Sequence, residues 1–229
     1  MKYYKHYSFD LWLTLIKSNP NFKEKRTLFF YENYNFHKKP LNEVGTIFRK
    51  VDLMCNAINE KTGKNIDSSE MYLMVISIIN DYTISFDDID LDYIACKMQD
   101  LLFEYMPLIY CSETKAVLEY LKATKGNTLS ILSNTGFIPG KLLRSVLKHI
   151  CIDMYFDFQI YSDEVGLSKP NKDIFKLMVN KITENRQILL SEIVHIGDNV
   201  RADVIGANSL GIQSILINSN NNSITSIIT

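Results

Sequence analysis

The sequence predicts an α/β protein whose mostly parallel sheet is interrupted, directly after its first strand, by an inserted bundle of helices. Three observations carry this reading. A short aromatic and apolar segment, residues 3–15, ends its strand near Asp10. Residues 21–107 then change to helical periodicity. From Ser112 onward, apolar runs of strand length alternate with amphipathic stretches of helix length. Such alternation produces parallel strands with helices on both faces of the sheet.

The first segment suits a buried strand because it is short and apolar on both faces. In the insert, a first helix is expected near residues 22–34. Val44, Ile47, Phe48, Val51, Met54, Cys55 and Ile58 then recur at helical spacing, as do Met71, Tyr72, Val75, Ile76, Ile79 and Tyr82. Leu91, Ile94, Met98, Leu101, Leu102 and Tyr105 make a third apolar face. Asp67 with Glu70 three residues on is a helix-start signature, and Pro107 stops the last helix. Beyond the insert, helices are expected at 112–124, 141–149, 172–181 and 201–210, and strands at 128–132, 156–161, 193–196 and 213–217. The Asn/Ser-rich residues 218–229 read as weakly structured. Residues 1–16 and 108–229 would form a Rossmann-like core, and residues 17–107 a helical cap roofing the carboxyl end of the first strand.

Composition narrows the function. The formal net charge is -1, so there is no field to favour nucleic acid or an anionic membrane. No apolar run approaches the roughly 20 residues that cross a bilayer, and Asp10 interrupts any signal-like start. Cys55, Cys96, Cys111 and Cys151 form no Cys-x-x-Cys pair and are expected reduced and mostly buried. The expectation is a cytoplasmic monomer or homodimer acting on a small molecule.

Four clusters fall at the carboxyl ends of expected strands and elements. They are Phe9-Asp10-Leu11-Trp12-Leu13-Thr14, Ser133-Asn134-Thr135-Gly136, Ser168-Lys169-Pro170-Asn171, and Gly197-Asp198-Asn199 continuing to Asp203. Together they would place carboxylates, a hydroxyl, an amide and an ammonium in one crevice. That set suits phosphoryl transfer: a carboxylate nucleophile splits the reaction into two steps, oxygen ligands hold Mg²⁺, and donors stabilise the developing charge.

In this order the clusters resemble the four motifs of the haloacid dehalogenase-like superfamily, and the insert resembles its helical cap. The resemblance implies a hydrolase with Asp10 as nucleophile and metal ligand. It implies further metal-site residues in the Trp12 main-chain carbonyl, Asp198 and Asp203, the last a second carboxylate that orients the metal site or Lys169. Ser133 and Asn134 would bind the transferring group, Lys169 would neutralise the nucleophile and phosphoryl oxygens, and Thr14 would stabilise the loop after the strand. Where the family's phosphatases read Asp-x-Asp-Gly-Thr, this chain has Trp12 and Leu13 in place of the second Asp and the Gly. The missing Asp is the acid/base, whose loss typically costs on the order of 10²–10⁴-fold.

Three functions follow as alternatives: a Mg²⁺-dependent phosphatase, a dehalogenase-type hydrolase suggested by the aromatic Trp12, and a phosphate-binding protein without turnover. Trp12 reads equally as core packing or as a wall of the pocket. His195 reads as a satisfied buried histidine. Arg26, Arg49 and Lys17, in or near the cap, are the cations that would meet an anionic substrate.

Overall fold

The fold is that of a computed structural model describing residues 4–184 and 186–228. Strand β1 (His6–Phe9) leads into β2 (Ile16–Lys17). Four helices follow: α1 (Pro20–Tyr34), α2 (Leu41–Thr62), α3 (Ser68–Ile79) and α4 (Leu91–Glu104). The chain returns through β3 (Leu108–Ile109), α5 (Thr114–Ala123), β4 (Thr128–Ser133), α6 (Gly140–His149), β5 (Phe158–Tyr161), the short α7 (Ser162–Val165) and α8 (Lys172–Thr183). It ends with β6 (Ile193–Gly197), α9 (Gly206–Asn208) and β7 (Gln213–Leu216). The expected first strand began at Tyr3, which lies outside the described residues.

The main sheet has the order β5-β4-β1-β6-β7, and every neighbouring pair is parallel. β1 is central, and the chain winds outward from it in both directions. Its carboxyl end is therefore at the switch point where ligands bind in open α/β sheets. All four β1 residues are buried, but the two faces differ. Tyr7 and Phe9 join Leu129, Ile131, Val194 and Ile196 in one apolar cluster. On the other face His6 bonds Thr128 and Ser130, while Ser8 bonds His195. A buried polar seam thus lines the centre of the sheet in two sets, His6 with Thr128 and Ser130, and Ser8 with His195 and Asp203, every ring nitrogen met.

The two ends of the helical insert meet in an antiparallel pair, Ile16 opposite Ile109 and Lys17 opposite Leu108. The insert has its own core, built on Phe30, Phe48, Val51, Met71, Val75, Ile76 and Ile94. Its helices end where the sequence dictates. Gly63 closes α2 in the left-handed region at φ 69°. The Glu70 carboxylate accepts from the Asp67 N–H at 2.9 Å at the start of α3. One member of this core comes from outside the insert: Phe137, in the loop after β4. Its carbonyl accepts from the Tyr72 hydroxyl at 3.1 Å, so the loop is plugged into the cap.

Three expectations are corrected. The helix expected over 201–210 is wound as a π-helix from Val200 to Ile205, and regular α-helix covers only Gly206–Asn208. Asn199 caps this wider-wound segment by accepting from the Arg201 and Ala202 N–H groups. The polar tail is ordered by two apolar residues that composition conceals: Ile224 and Ile227 are buried in the main core. Of the cysteines, all free thiols, only Cys55 is buried; Cys96 and Cys151 are exposed. Among the described residues no helix is long and apolar enough to cross a membrane.

Candidate active site

Asp10 follows β1 directly and is held by its own backbone, whose N–H donates to the Ile196 carbonyl at 2.8 Å. Its side chain is only 7% exposed. Lys169, 1% exposed, donates to Asp10 Oδ1 at 2.7 Å, and the Thr14 hydroxyl donates to Oδ2 at 3.0 Å. Thr14, expected to brace the loop, therefore orients the nucleophile candidate itself.

The same ammonium donates to Asp203 Oδ1 at 2.6 Å. Asp203 also meets His195 Nε2 at 3.1 Å through Oδ1 and accepts from the Asn199 N–H at 3.0 Å through Oδ2. His195 in turn meets the Ser8 hydroxyl at Nδ1, 2.9 Å away. His195 is thus the satisfied buried histidine that its apolar strand suggested. Burial lowers its pKa, so the ring is neutral. An ionised Asp203 can only accept, which fixes the tautomer: Nε2–H donates to Asp203, and Nδ1 accepts from Ser8.

The charges sort by environment. Burial alone would lower Lys169, but Asp10 and Asp203 outweigh it and keep the ammonium charged. Burial alone would raise Asp203, but Lys169 and His195 hold it well below the usual carboxylate range. Asp10 goes the other way: its burial raises the carboxyl against the pull of Lys169. Asp198 is pushed up to about 7, first by burial and then by the charges of Asp10 and Asp203. One oxygen from each of Asp10, Asp198 and Asp203 falls within a mutual 4.8 Å, close enough to share one cation. Carboxylates crowded to this degree repel one another unless a positive charge joins them. The all-oxygen set fits a hard divalent ion.

The two polar residues after β4 are used differently from expectation. The Ser133 hydroxyl is fully buried and donates to the Asn134 carbonyl at 3.1 Å. The Asn134 amide clamps the backbone of Lys169: Nδ2 donates to the Lys169 carbonyl at 3.0 Å, and Oδ1 accepts from its N–H at 2.8 Å. With both ends so engaged, Asn134 positions the lysine. Trp12 is half-buried and packs on the main core beside Asp10, so packing and wall are compatible. Of the three cap cations, Arg26 is buried with its guanidinium 4.1 Å from the Phe48 ring and 4.6 Å from the Phe137 ring. Lys17 lies over Tyr110, and Arg49 is exposed near Asp52.

Sequence reasoning missed the polar contacts by which the cap reaches the site. Asn65 Oδ1 accepts from Ser162 at 2.8 Å, and Ser162 bonds Thr135. The Gly63 carbonyl accepts from the Ser168 N–H and the Asn171 amide, both at 3.1 Å, on either side of Lys169 and Pro170. Their signal was the loop after α2, rich in Gly and Asn.

The family profile described as haloacid dehalogenase-like hydrolase matches residues 9–217, which include every residue of this constellation. The chain belongs to the haloacid dehalogenase-like hydrolase family. A pyrimidine 5'-nucleotidase from Escherichia coli is 27% identical over 108 residues, 47% of this chain and 46% of that protein. A glyceraldehyde 3-phosphate phosphatase from Methanothermobacter thermautotrophicus is 33% identical over 46% of this chain and 43% of its own length. The chain thus spans about half the length of these curated relatives. A hydrolase of the family from Bacillus subtilis, solved bound to magnesium, shares the fold with a TM-score of 0.71 at 18% identity, over 97% of this chain and 92% of that one.

Proposed function

We propose that this hydrolase is a Mg²⁺-dependent phosphatase acting on a small phosphorylated metabolite through an aspartyl-phosphate on Asp10. The observation that carries the reading is the Lys169 ammonium shared between Asp10 and Asp203, with Asp198 within reach of both carboxylates. A nucleophilic carboxylate facing an anionic phosphoryl group needs exactly such neighbouring positive charge. The relatives that act on nucleotides and sugar phosphates support the reaction class. The four free thiols fit a reducing, cytoplasmic setting.

Asp10 and Asp198, with the Trp12 main-chain carbonyl, would hold Mg²⁺. The ion would offset the charge of phosphate and nucleophile. Thr14 and Lys169 fix both Asp10 oxygens, so the attacking carboxylate keeps one orientation. Lys169 would meet the equatorial phosphoryl oxygens as they gain charge. Asp203, expected among the metal ligands, already meets three groups, Lys169, His195 and the Asn199 N–H, against two for Asp10, and we assign it to holding Lys169. Ser133 would have to turn its hydroxyl from the Asn134 carbonyl to meet the substrate.

The test is hydrolysis of an activated aryl phosphate and a panel of metabolite phosphates with Mg²⁺. Turnover abolished both by chelation and by Asp10→Asn is expected. Trp12 favours a second reading, dehalogenation, and turnover of haloacids that survives chelation would replace the first with it.

A further inference from the structure

The first motif carries Trp12 where an acid would stand, so a phosphatase built on it must protonate its leaving group from elsewhere. Asp10 and Asp198 are committed to the nucleophile and the cation site, and Asp203 to holding Lys169. The helical insert carries another carboxylate, Asp52 of α2, against the loop that follows Ser133. A Cβ placed on Gly136 would lie 3.7 Å from Asp52 Oδ1 of α2 and 3.8 Å from Met71 Cε of α3. Gly136 is three residues beyond Ser133, in the loop at the carboxyl end of β4, and β4 pairs directly with β1. α2 therefore packs Asp52 against the loop that follows the strand beside β1, so closely that a Cβ at 136 would touch its carboxylate.

Asp52 is not consumed by a close ion pair. Its nearest ion partner, the Arg49 guanidinium, stands 3.8 Å away, beyond hydrogen-bond distance. The other cations acting on it are Arg26 and Lys23 of α1, and burial raises its carboxyl against all three. The neighbouring core loop, Asn134 to Phe137, brings no charge of its own.

We propose, building on the phosphatase reading, that Asp52 is the cap-borne general acid/base that replaces the carboxylate missing at Trp12. In the first step Asp10 Oδ bonds to phosphorus, the P–O bond to the leaving group breaks, and the departing oxygen takes the Asp52 proton. In the second, water attacks the aspartyl-phosphate, the P–Oδ bond breaks, and the water proton returns to the Asp52 carboxylate. The enzyme ends as it began, with one ester cleaved and one water consumed. The arrangement makes proton delivery depend on the cap being seated over the β4 loop.

The test compares the unaltered chain with Asp52→Asn on substituted phenyl phosphates running from p-nitrophenyl to unsubstituted phenyl, with Mg²⁺. These esters are nearly the same shape and differ in how badly the departing phenolate needs a proton. The loss in kcat/KM, which reports only the step that expels the phenolate, is expected to grow with the basicity of the phenolate, smallest for p-nitrophenyl and about 10²-fold for phenyl. An equal loss across the series would make Asp52 a structural residue, and no loss anywhere would remove it from the reaction; either overturns the inference and leaves the phosphatase reading standing. Failure of the unaltered chain on every ester would overturn both.

Discussion

Leu13 adopts φ 59° while 51% exposed, a left-handed conformation in a residue with a Cβ and little packing to gain. The loop imposes it: the Leu13 N–H donates to the Ile16 carbonyl at 2.7 Å, and its carbonyl accepts from the Asn218 amide at 2.7 Å. This conformation costs an L-residue roughly 1–2 kcal/mol, and glycine adds back about 0.4–1 kcal/mol through the freedom of the unfolded chain. Leu13→Gly should therefore stabilise the protein by about 0.5–1 kcal/mol, read as a rise of about 1–4 °C in thermal midpoint. An unchanged or lower midpoint would mean that the Leu13 side chain packs better than its exposure implies. Gly197 is the reverse case, because a Cβ there would fall 2.1 Å from Asp203 Oδ2. Gly197→Ala should displace Asp203 from Lys169, and a full retention of Mg²⁺-dependent turnover would contradict that. The sequence makes Asp10 and Asp198 legible because each directly follows an apolar strand, and Lys169 and Asp203 through the motifs around them. It does not reveal what they touch: Thr14 on Asp10 and Asn134 on Lys169 are partners that only the folded chain brings together.

The loops rather than the strands carry the site, and they are tied to one another. Asn134 links the β4 loop to the Lys169 loop by bonding both backbone groups of one residue 35 positions away. Asn134→Ala would leave those groups to find other partners, at about 1–3 kcal/mol for each one left buried and unpaired. The expected result is a drop in kcat with KM changed little, since the lysine would still be present but held less well. A KM effect alone would instead place the Asn134 side chain on the substrate. Helices and strands were legible from period and caps. The π-helix was not, since Val200–Ile205 has an ordinary amphipathic composition and its winding follows from Asn199 and the buried Asp203. Nor was the insertion of Phe137 into the cap, because an aromatic residue in a loop reads locally as neither core nor surface.

At the scale of the molecule, the parallel sheet and its insert were legible from alternation, but the order of the strands and the two faces of the sheet were not. His6, Ser8, Ser130 and His195 interrupt apolar runs, and what makes them tolerable is that they bond each other inside the sheet. That seam makes the fold sensitive to acid. His6 is pushed from 6.5 down to about 3, chiefly by burial and then by the charge of Arg186. Above pH 6.5 neither folded nor unfolded chain protonates it. Below that, the unfolded chain takes a proton that the folded chain refuses, so its contribution to stability is full above 6.5 and is lost as the pH falls towards 3. Asp198 acts oppositely: raised from 3.8 to about 7, it takes up a proton in the folded chain first, so folding gains as the pH falls through that window. The windows overlap, and the pH dependence of the unaltered chain is therefore partly cancelled. A difference between two chains isolates the histidine, because Asp198 is common to both. His6→Gln should be less stable at pH 7.5, where its hydroxyl partners are less well met. Relative to the unaltered chain it should then recover about 2 kcal/mol by pH 5, following about 1.4 kcal/mol for each pH unit below 6.5. Urea unfolding of both chains from pH 7.5 to 5 measures this, and a constant gap across that range would show that the seam titrates like an exposed histidine.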